Sequence, residues 1–258
     1  MIERMIPREV WTLDTRLLGR RVLVFDRLDS TSNVAAALAE SRENDGAIVL
    51  ADEQTGGRGQ HGRSWTCPAG SGILLSALIF PPPSLRRPAV LTAWAAVSVC
   101  ETIRELTGLQ ASIKWPNDVL IGGRKVCGIL IEQGRGTVAG IGLNVNQNAE
   151  TFADAGLTDA ASLAVFTGQR RDRAAVVRRL IHHLDEQYDA LCGGDLATLE
   201  GHWKRRLGLL GREVVAECAD EPYRGRLREL TWDEVVLMQP DGTETRLRPE
   251  AVKHLFPA

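Results

Sequence analysis

Three runs of residues carry groups that could do chemistry. The first is Gly57-Arg58-Gly59-Gln60-His61-Gly62-Arg63-Ser64-Trp65. Its glycines let backbone amides approach a ligand closely, and its arginines offer forked donors suited to phosphate or carboxylate. Trp65 adds a flat face for a base. The second is Lys114-Trp115-Pro116-Asn117-Asp118. Pro116 interrupts a strand and displays Asn117 and Asp118 at a bend, where Asp118 could hold Mg²⁺ together with substrate phosphates. The third is Lys125-Val126-Cys127-Gly128-Ile129-Leu130-Ile131-Glu132. Here a lysine opens an apolar strand and Gly128 removes bulk, so a compact positive charge could be aimed into a pocket. Asn144 and Asn146, closing Gly140-Ile141-Gly142-Leu143, could read an adenine edge. Taken singly, each has a plainer reading: a solvated loop, a Pro-Asn-Asp turn, an edge lysine with a packing glycine, and turn asparagines.

The first run also fits G-x-G-x-x-G literally, but the dinucleotide-binding fingerprint needs a helix opening within the glycines to hold the pyrophosphate. Arg63 to Gly70 contains Pro68 and does not read as a helix, and the acidic residue expected about twenty positions on is missing. That reading is rejected.

The elements that must position these groups follow from periodicity. Residues 22–25 and 47–51 read as buried strands, and Asp29-Ser30-Thr31 supplies N-cap chemistry for an Ala-rich helix over 32–40. A strand over 73–80 halts at Pro81-Pro82-Pro83, and a buried helix follows over 89–106. Strands are predicted over 112–115, 119–121, 125–132 and 137–143, with Gly122-Gly123 and Gly134-Arg135-Gly136 as hairpin turns. Helices over 172–191 and 196–207 carry an apolar stripe of Val176, Val177, Leu180, Leu184 and Leu191. After Gly211 short strands and turns such as Asp241-Gly242 point to a small β barrel. The fold class is α+β: a mixed, largely antiparallel sheet with packed helices over 1–208, then a β domain over 209–258.

Composition narrows the function. The 258 residues hold 31 basic and 33 acidic side chains, a formal charge of −2, which removes any global electrostatic case for DNA or anionic membrane. The most apolar window, 89–100, is too short for a membrane span, and no leader follows Met1. Cys67, Cys100, Cys127, Cys192 and Cys218 are odd in number and scattered, so a reducing cytoplasm is the simpler reading. His182 and His183 are read as structural, and Arg170, Arg171, Arg173, Arg178, Arg179, Arg205 and Arg206 as solvated helix faces.

The order of the motifs is more telling than any one of them. Asp29-Ser30-Thr31, Gln54 with the Gly-rich run, Lys114 to Asp118, Lys125 to Leu130 and Gly140 to Asn146 together resemble the biotin–protein ligases (biotin–[acetyl-CoA-carboxylase] ligases). The resemblance implies a class II synthetase-like catalytic domain with an SH3-like tail. It implies an enzyme that uses ATP and Mg²⁺ to convert biotin to biotinyl-5′-AMP, then transfers biotin to a lysine of a biotin carboxyl carrier domain. By the same resemblance Ser30, Thr31, Ser32, Gln54, Gly57, Arg58, Gly59, Gln60 and Gly128 hold biotin. Lys125 bridges biotin carboxylate and ATP phosphate. Arg63, Trp65, Lys114, Asn117 and Asn144 lie at the adenylate, and Asp118 lies at the metal. Lys125, Arg58 and Asp118 are the expected catalytic set. One departure is Gln60, where many members carry a second arginine. The catalytic motifs begin at Asp29, so a monofunctional ligase without an N-terminal DNA-binding domain is expected. Two rivals are a lipoate or octanoate ligase or transferase of the same fold, and a non-catalytic biotin or nucleotide sensor. The Gly-Arg-Gly loop with Lys-Trp-Pro-Asn-Asp favours biotin over the first, and Lys125 with Asp118 argues against the second.

Overall fold

The computed structural model describes residues 6–258, the side chain of His61 excepted. An eight-stranded sheet is built from β1 (Glu9–Trp11), β2 (Val22–Leu28), β3 (Ile48–Gln54), β4 (Gly72–Ile79), β5 (Ser112–Lys114), β6 (Asp118–Ile121), β7 (Arg124–Gln133) and β8 (Thr137–Asn144). Its order is β1-β2-β3-β4-β8-β7-β6-β5. Only β2 and β3 pair in parallel, joined by α1 (Thr31–Leu38); the other pairings are antiparallel. The α+β class therefore holds, with one parallel crossover inside it. The edge strand β1 and the short helices α3 (Ala149–Asp154) and α4 (Leu163–Thr167) are additions to the predicted elements, because each is too short to show a period.

Every residue of β4 is buried, because both sheet faces are covered. On one face α1 packs through Ala35 and Ala39 against Leu23, Phe25, Leu78 and Val138. On the other lie α2 (Pro88–Thr107), α5 (Arg173–Cys192) and α6 (Leu196–Leu207). Proline at the first position starts α2, and Gly108 ends it with φ 73°. Trp94 lies wholly buried in α2, its indole donating 3.0 Å to the Leu184 carbonyl of α5. His183, read as structural, bonds Glu105 across the α5–α2 interface at 3.1 Å.

Asp185 on α5 fixes the chain entering β2. Its buried carboxylate accepts from the backbone amides of Arg16 (2.8 Å), Leu17 (2.7 Å) and Leu18 (2.7 Å). Removing it leaves three amides without a partner. Asp185→Ala is expected to cost about 3 kcal/mol in urea unfolding, since each unsatisfied buried donor costs about 1–3 kcal/mol. A loss under about 0.5 kcal/mol would show that the segment is held elsewhere.

Several arginines expected on solvated helix faces are instead committed. Arg170 lies ahead of α5, not on it, and its guanidinium donates to the Asn146 carbonyl; Arg171, also ahead of the helix, meets Asn146 through its backbone. Arg206 reaches the Ala111 carbonyl and Glu101. Arg178 covers the Trp11 ring. Arg173 donates to the Gly72 carbonyl (2.8 Å) and to Asp52 (2.9 Å), whose other oxygen accepts from Arg8 (2.7 Å). A guanidinium has five donors and a long stem, so helical position alone does not assign its partners. Burial pushes the Asp52 carboxyl up, but hydrogen bonds from Arg8 and Arg173 outweigh it and hold it below its ordinary value. A depressed carboxyl stabilises the fold above its unfolded value, near 4, and that contribution is lost as pH falls through the folded value. In Arg173→Met the acid-unfolding midpoint is accordingly expected at higher pH than in the parent, followed by circular dichroism.

The second sheet is five-stranded: β9 (Glu213–Glu217), β10 (Pro222–Leu230), β11 (Val235–Met238), β12 (Glu244–Leu247) and β13 (His254–Pro257), in the order β12-β11-β10-β9-β13. It joins the larger body through packed indoles. Trp203 of α6 lies between Trp115 (ring centres 5.6 Å) and Trp232 (4.8 Å). The Trp115 indole also donates 2.8 Å to the Val252 carbonyl. The Lys-Trp-Pro-Asn-Asp hairpin is thus braced from behind by the C-terminal sheet.

Candidate active site

A cavity of about 580 Å³ opens above the centre of the large sheet, within the range of small-molecule sites. Its floor is a cross-strand row in which Asp118 of β6 pairs with Gly128 of β7, Gly128 with Gly142 of β8, and Gly142 with Leu74 of β4. The two glycines keep the floor bare. A Cβ on Gly142 would come 2.3 Å from the Trp65 indole, and one on Gly128 would meet Trp65 at 2.9 Å and Lys125 Nζ at 3.3 Å. Trp65 lies on this floor with its Nε1 buried and unpartnered.

Lys125 and Gly128 both line the cavity although they are three residues apart, a spacing that in a regular strand puts them on opposite faces. A register shift resolves this. Val119 pairs with Cys127 but Leu120 pairs with Lys125, leaving Val126 unmatched in β7. The bulge re-aims Lys125 inward. Its backbone is clamped by Asp159 O (2.7 Å) and Ala161 N (2.9 Å). Its ammonium sits 2.7 Å from Asp118 Oδ1, in a contact too bent to serve as a hydrogen bond, and 5.6 Å from the Trp65 ring centre.

Beneath the start of α1 lies a buried polar cluster. Gln54 Oε1 accepts from both the backbone amide and the hydroxyl of Thr31 at 2.8 Å. Thr31 and Ser32 hydroxyls meet Ser76 Oγ at 2.8 and 3.0 Å. The helix starts one residue earlier than predicted, so of Asp29, Ser30 and Thr31 it is Ser30 that occupies the N-cap position; its hydroxyl makes no capping bond, and the side chain of Gln54 serves the first amide instead. A sequence pattern shows the cap position but not a competing acceptor from another strand.

Most of the expected residues converge. Ser30, Thr31, Ser32, Gln54, Arg58, Gly59, Gln60, Arg63, Trp65, Lys114, Asn117, Asp118, Lys125, Gly128 and Asn144 all line the cavity. Gly57 backs it, with no room for a Cβ between the Trp65 carbonyl (2.3 Å) and Gln54 Nε2 (2.9 Å). Asn117 ties the bend to β7 through a 2.7 Å bond to the Ile129 carbonyl. Asn144 bonds Ala161 O (3.1 Å) and Gln147 (3.0 Å). Asn146 spends both ends of its amide on the Arg171 backbone, at 2.9 and 2.8 Å, so for it the turn role prevails over base reading. Arg58 lines the cavity with its guanidinium turned to the rim, on Asn33 (2.8 Å) and Glu132 (3.1 and 3.2 Å). Ser76, Phe152, Leu157 and His254 were not singled out from sequence, yet Ser76 anchors the polar cluster and the other three line the cavity. A serine inside the apolar run Ile73 to Phe80 was the one available signal.

The biotin/lipoate A/B protein ligase family profile matches residues 24–148, the stretch holding all these motifs. A biotin–[acetyl-CoA-carboxylase] ligase of Paracoccus denitrificans is 33% identical over 208 residues, covering 77% of this chain and 86% of that one. The bifunctional ligase/repressor BirA of Bacillus subtilis is 31% identical over 252 residues, 95% of this chain and 75% of that protein. The chain belongs to the biotin protein ligase family. The fold agrees: the biotin protein ligase of Aquifex aeolicus in complex with biotin and ATP superposes with a TM-score of 0.75 at 26% identity, covering 91% of this chain and 97% of that one. As a biotin protein ligase, the chain has its expected motifs on one sheet face, and among the described residues no helix is long and apolar enough to cross a membrane.

Such ligases imply Mg²⁺. Asp118 fits one: its Oδ1 is buried, carries no hydrogen bond and faces the cavity beside Lys125. Among the described residues no cluster of three acidic, histidine or cysteine side chains could hold a metal alone. That suits an ion that keeps its waters and is shared between one carboxylate and substrate phosphates.

Proposed function

We propose that this cavity joins biotin to AMP and then passes the biotinyl group to a carrier-protein lysine, with residues 1–208 as the catalytic unit and 209–258 as an SH3-like brace. The observation that carries the reading is Lys125, turned inward by the Val126 bulge between a polar, hydroxyl-lined end and an open rim. The polar end selects the acid. Thr31, Ser32, Gln54, Ser76 and the uncapped Ser30 hydroxyl suit a ligand head with both donors and acceptors. The ureido ring of biotin has both. The hydrocarbon tail of octanoate and the dithiolane of lipoate have neither and would leave these groups unpaired. Apolar Leu74 and Leu130, on the same sheet face as the bare Gly140 and Gly142, line the route for the valeryl chain.

The carboxylate then lies at Lys125, whose charge offsets the repulsion between carboxylate and α-phosphate. A carboxylate oxygen bonds to the α-phosphorus as the bond to the β-phosphate bridging oxygen breaks, releasing pyrophosphate and leaving a mixed anhydride. Asp118 would hold Mg²⁺, which when bound neutralises phosphate charge. Lys114, Arg63 and Asn144 line the nucleotide side, and Trp65 excludes water from the anhydride. The amine of the carrier lysine attacks the biotinyl carbonyl and expels AMP; no bond to the enzyme forms. The partner is thus a biotin carboxyl carrier domain.

Radiolabelled biotin, ATP and Mg²⁺ with a purified carrier domain test this. Label is expected on the carrier, with none on a carrier whose acceptor lysine is arginine. Equal labelling of both carriers would contradict directed transfer.

A further inference from the structure

We propose that Glu132, assisted by Asn33, is a latch that holds the Gly-rich loop closed over the cavity by its grip on Arg58, and that it sets how fast the adenylate leaves. The second half of this inference rests on the function proposed above; the first half does not.

Among the described residues, the backbone hydrogen bonds of 57–64 close on the loop and its end: Gly59 N to Arg63 O (2.7 Å), Arg63 N to Gln60 O (3.2 Å) and Trp65 N to Gly57 O (2.9 Å). Arg58 and Ser64 complete a small antiparallel bridge. The loop is therefore a self-contained flap, and among its described side chains the hydrogen bonds tying it to the body all run from Arg58. Asn33, itself anchored to Asp29 at 2.5 Å, accepts from one end of the guanidinium. Glu132, at the far end of β7, accepts from the other on both its oxygens. The tie crosses the groove that 58–60 and Arg63 form with Leu130 and Glu132 at the cavity rim. Among the described side chains of 58–64, the Arg58 guanidinium is thus the tie between loop and body, held between helix α1 and strand β7.

Both partners of the ion pair are partly exposed, with side-chain exposures of 40% for Arg58 and 37% for Glu132. An ion pair in that setting is weak and salt-sensitive, which suits a contact that must open in each cycle. A buried pair would hold the loop shut.

Limited trypsin digestion at the Arg63–Ser64 bond, followed by mass spectrometry, reads loop opening without any ligand. Glu132→Gln and Asn33→Ala are each expected to be cut about threefold to fivefold faster than the parent, with unchanged thermal midpoints. Added salt should speed cutting of the parent and leave Glu132→Gln unmoved, a difference that a purely structural glutamate would not produce. The same variants, loaded with biotin and ATP, should release adenylate faster by a similar factor. Parent-like cutting in both variants would overturn the latch. Faster cutting with no adenylate formed by parent or variant would leave the latch standing and remove the ligase reading.

Discussion

Lys125→Ala forms biotinyl-adenylate at least about a thousandfold more slowly than the parent, with an unchanged thermal midpoint. Loss of one preorganised donor to a developing charge costs about 10² to 10³ in rate, and here the donor is a full positive charge where two anions meet. Lys125 Nζ contacts only cavity-lining groups, Asp118 and the Trp65 ring, and its backbone is held independently by Asp159 and Ala161. Folding should therefore survive the change. Single-turnover formation of adenylate, measured by quench and chromatography, separates this from a binding defect. A loss below tenfold would show that the reaction is centred on another group.

Gly128→Val should silence the site by a different route. Its Cβ would arrive 3.3 Å from both Cε and Nζ of Lys125 and 2.9 Å from the Trp65 ring, before the extra methyls are placed. The side chain fills floor that the ligand needs and pushes the ammonium aside. A misplacement of about 1 Å can cost about a hundredfold, and biotin binding should fall by at least that factor. Valine suits a strand, and the two side chains it meets, Trp65 and Lys125, both border the cavity and can yield into it, so the fold should persist. Calorimetric titration with biotin reads the result. Parent-like affinity would mean that the acid binds away from this floor.

How far these effects could be foreseen from sequence differs by residue. The long helices and central strands were legible because their apolar periods run over many residues: α2, α5 and β7 lie within two residues of where patterning put them. The site motifs were legible because glycine, proline and charge interrupt those periods. Three decisive features were not. The bulge at Val126 depends on which residue of β6 faces Lys125, a register that one strand's sequence does not contain. The capping of Thr31 by Gln54 joins residues 23 apart in the chain across a parallel pair. The turning of Arg58 to Glu132 spans 74 residues, and a long side chain leaves no trace of its partner in local pattern.

Pyrophosphate–ATP exchange with purified protein and Mg²⁺, run in parallel with biotin, lipoate and octanoate, bears most directly on the central claim. Exchange stimulated by biotin alone is the predicted result, because in the proposed pose only that acid would pair the hydroxyl and amide groups around Ser30, Thr31 and Gln54 with its carboxylate at Lys125. Exchange with lipoate or octanoate at a comparable rate, or no exchange with any of the three, would contradict it.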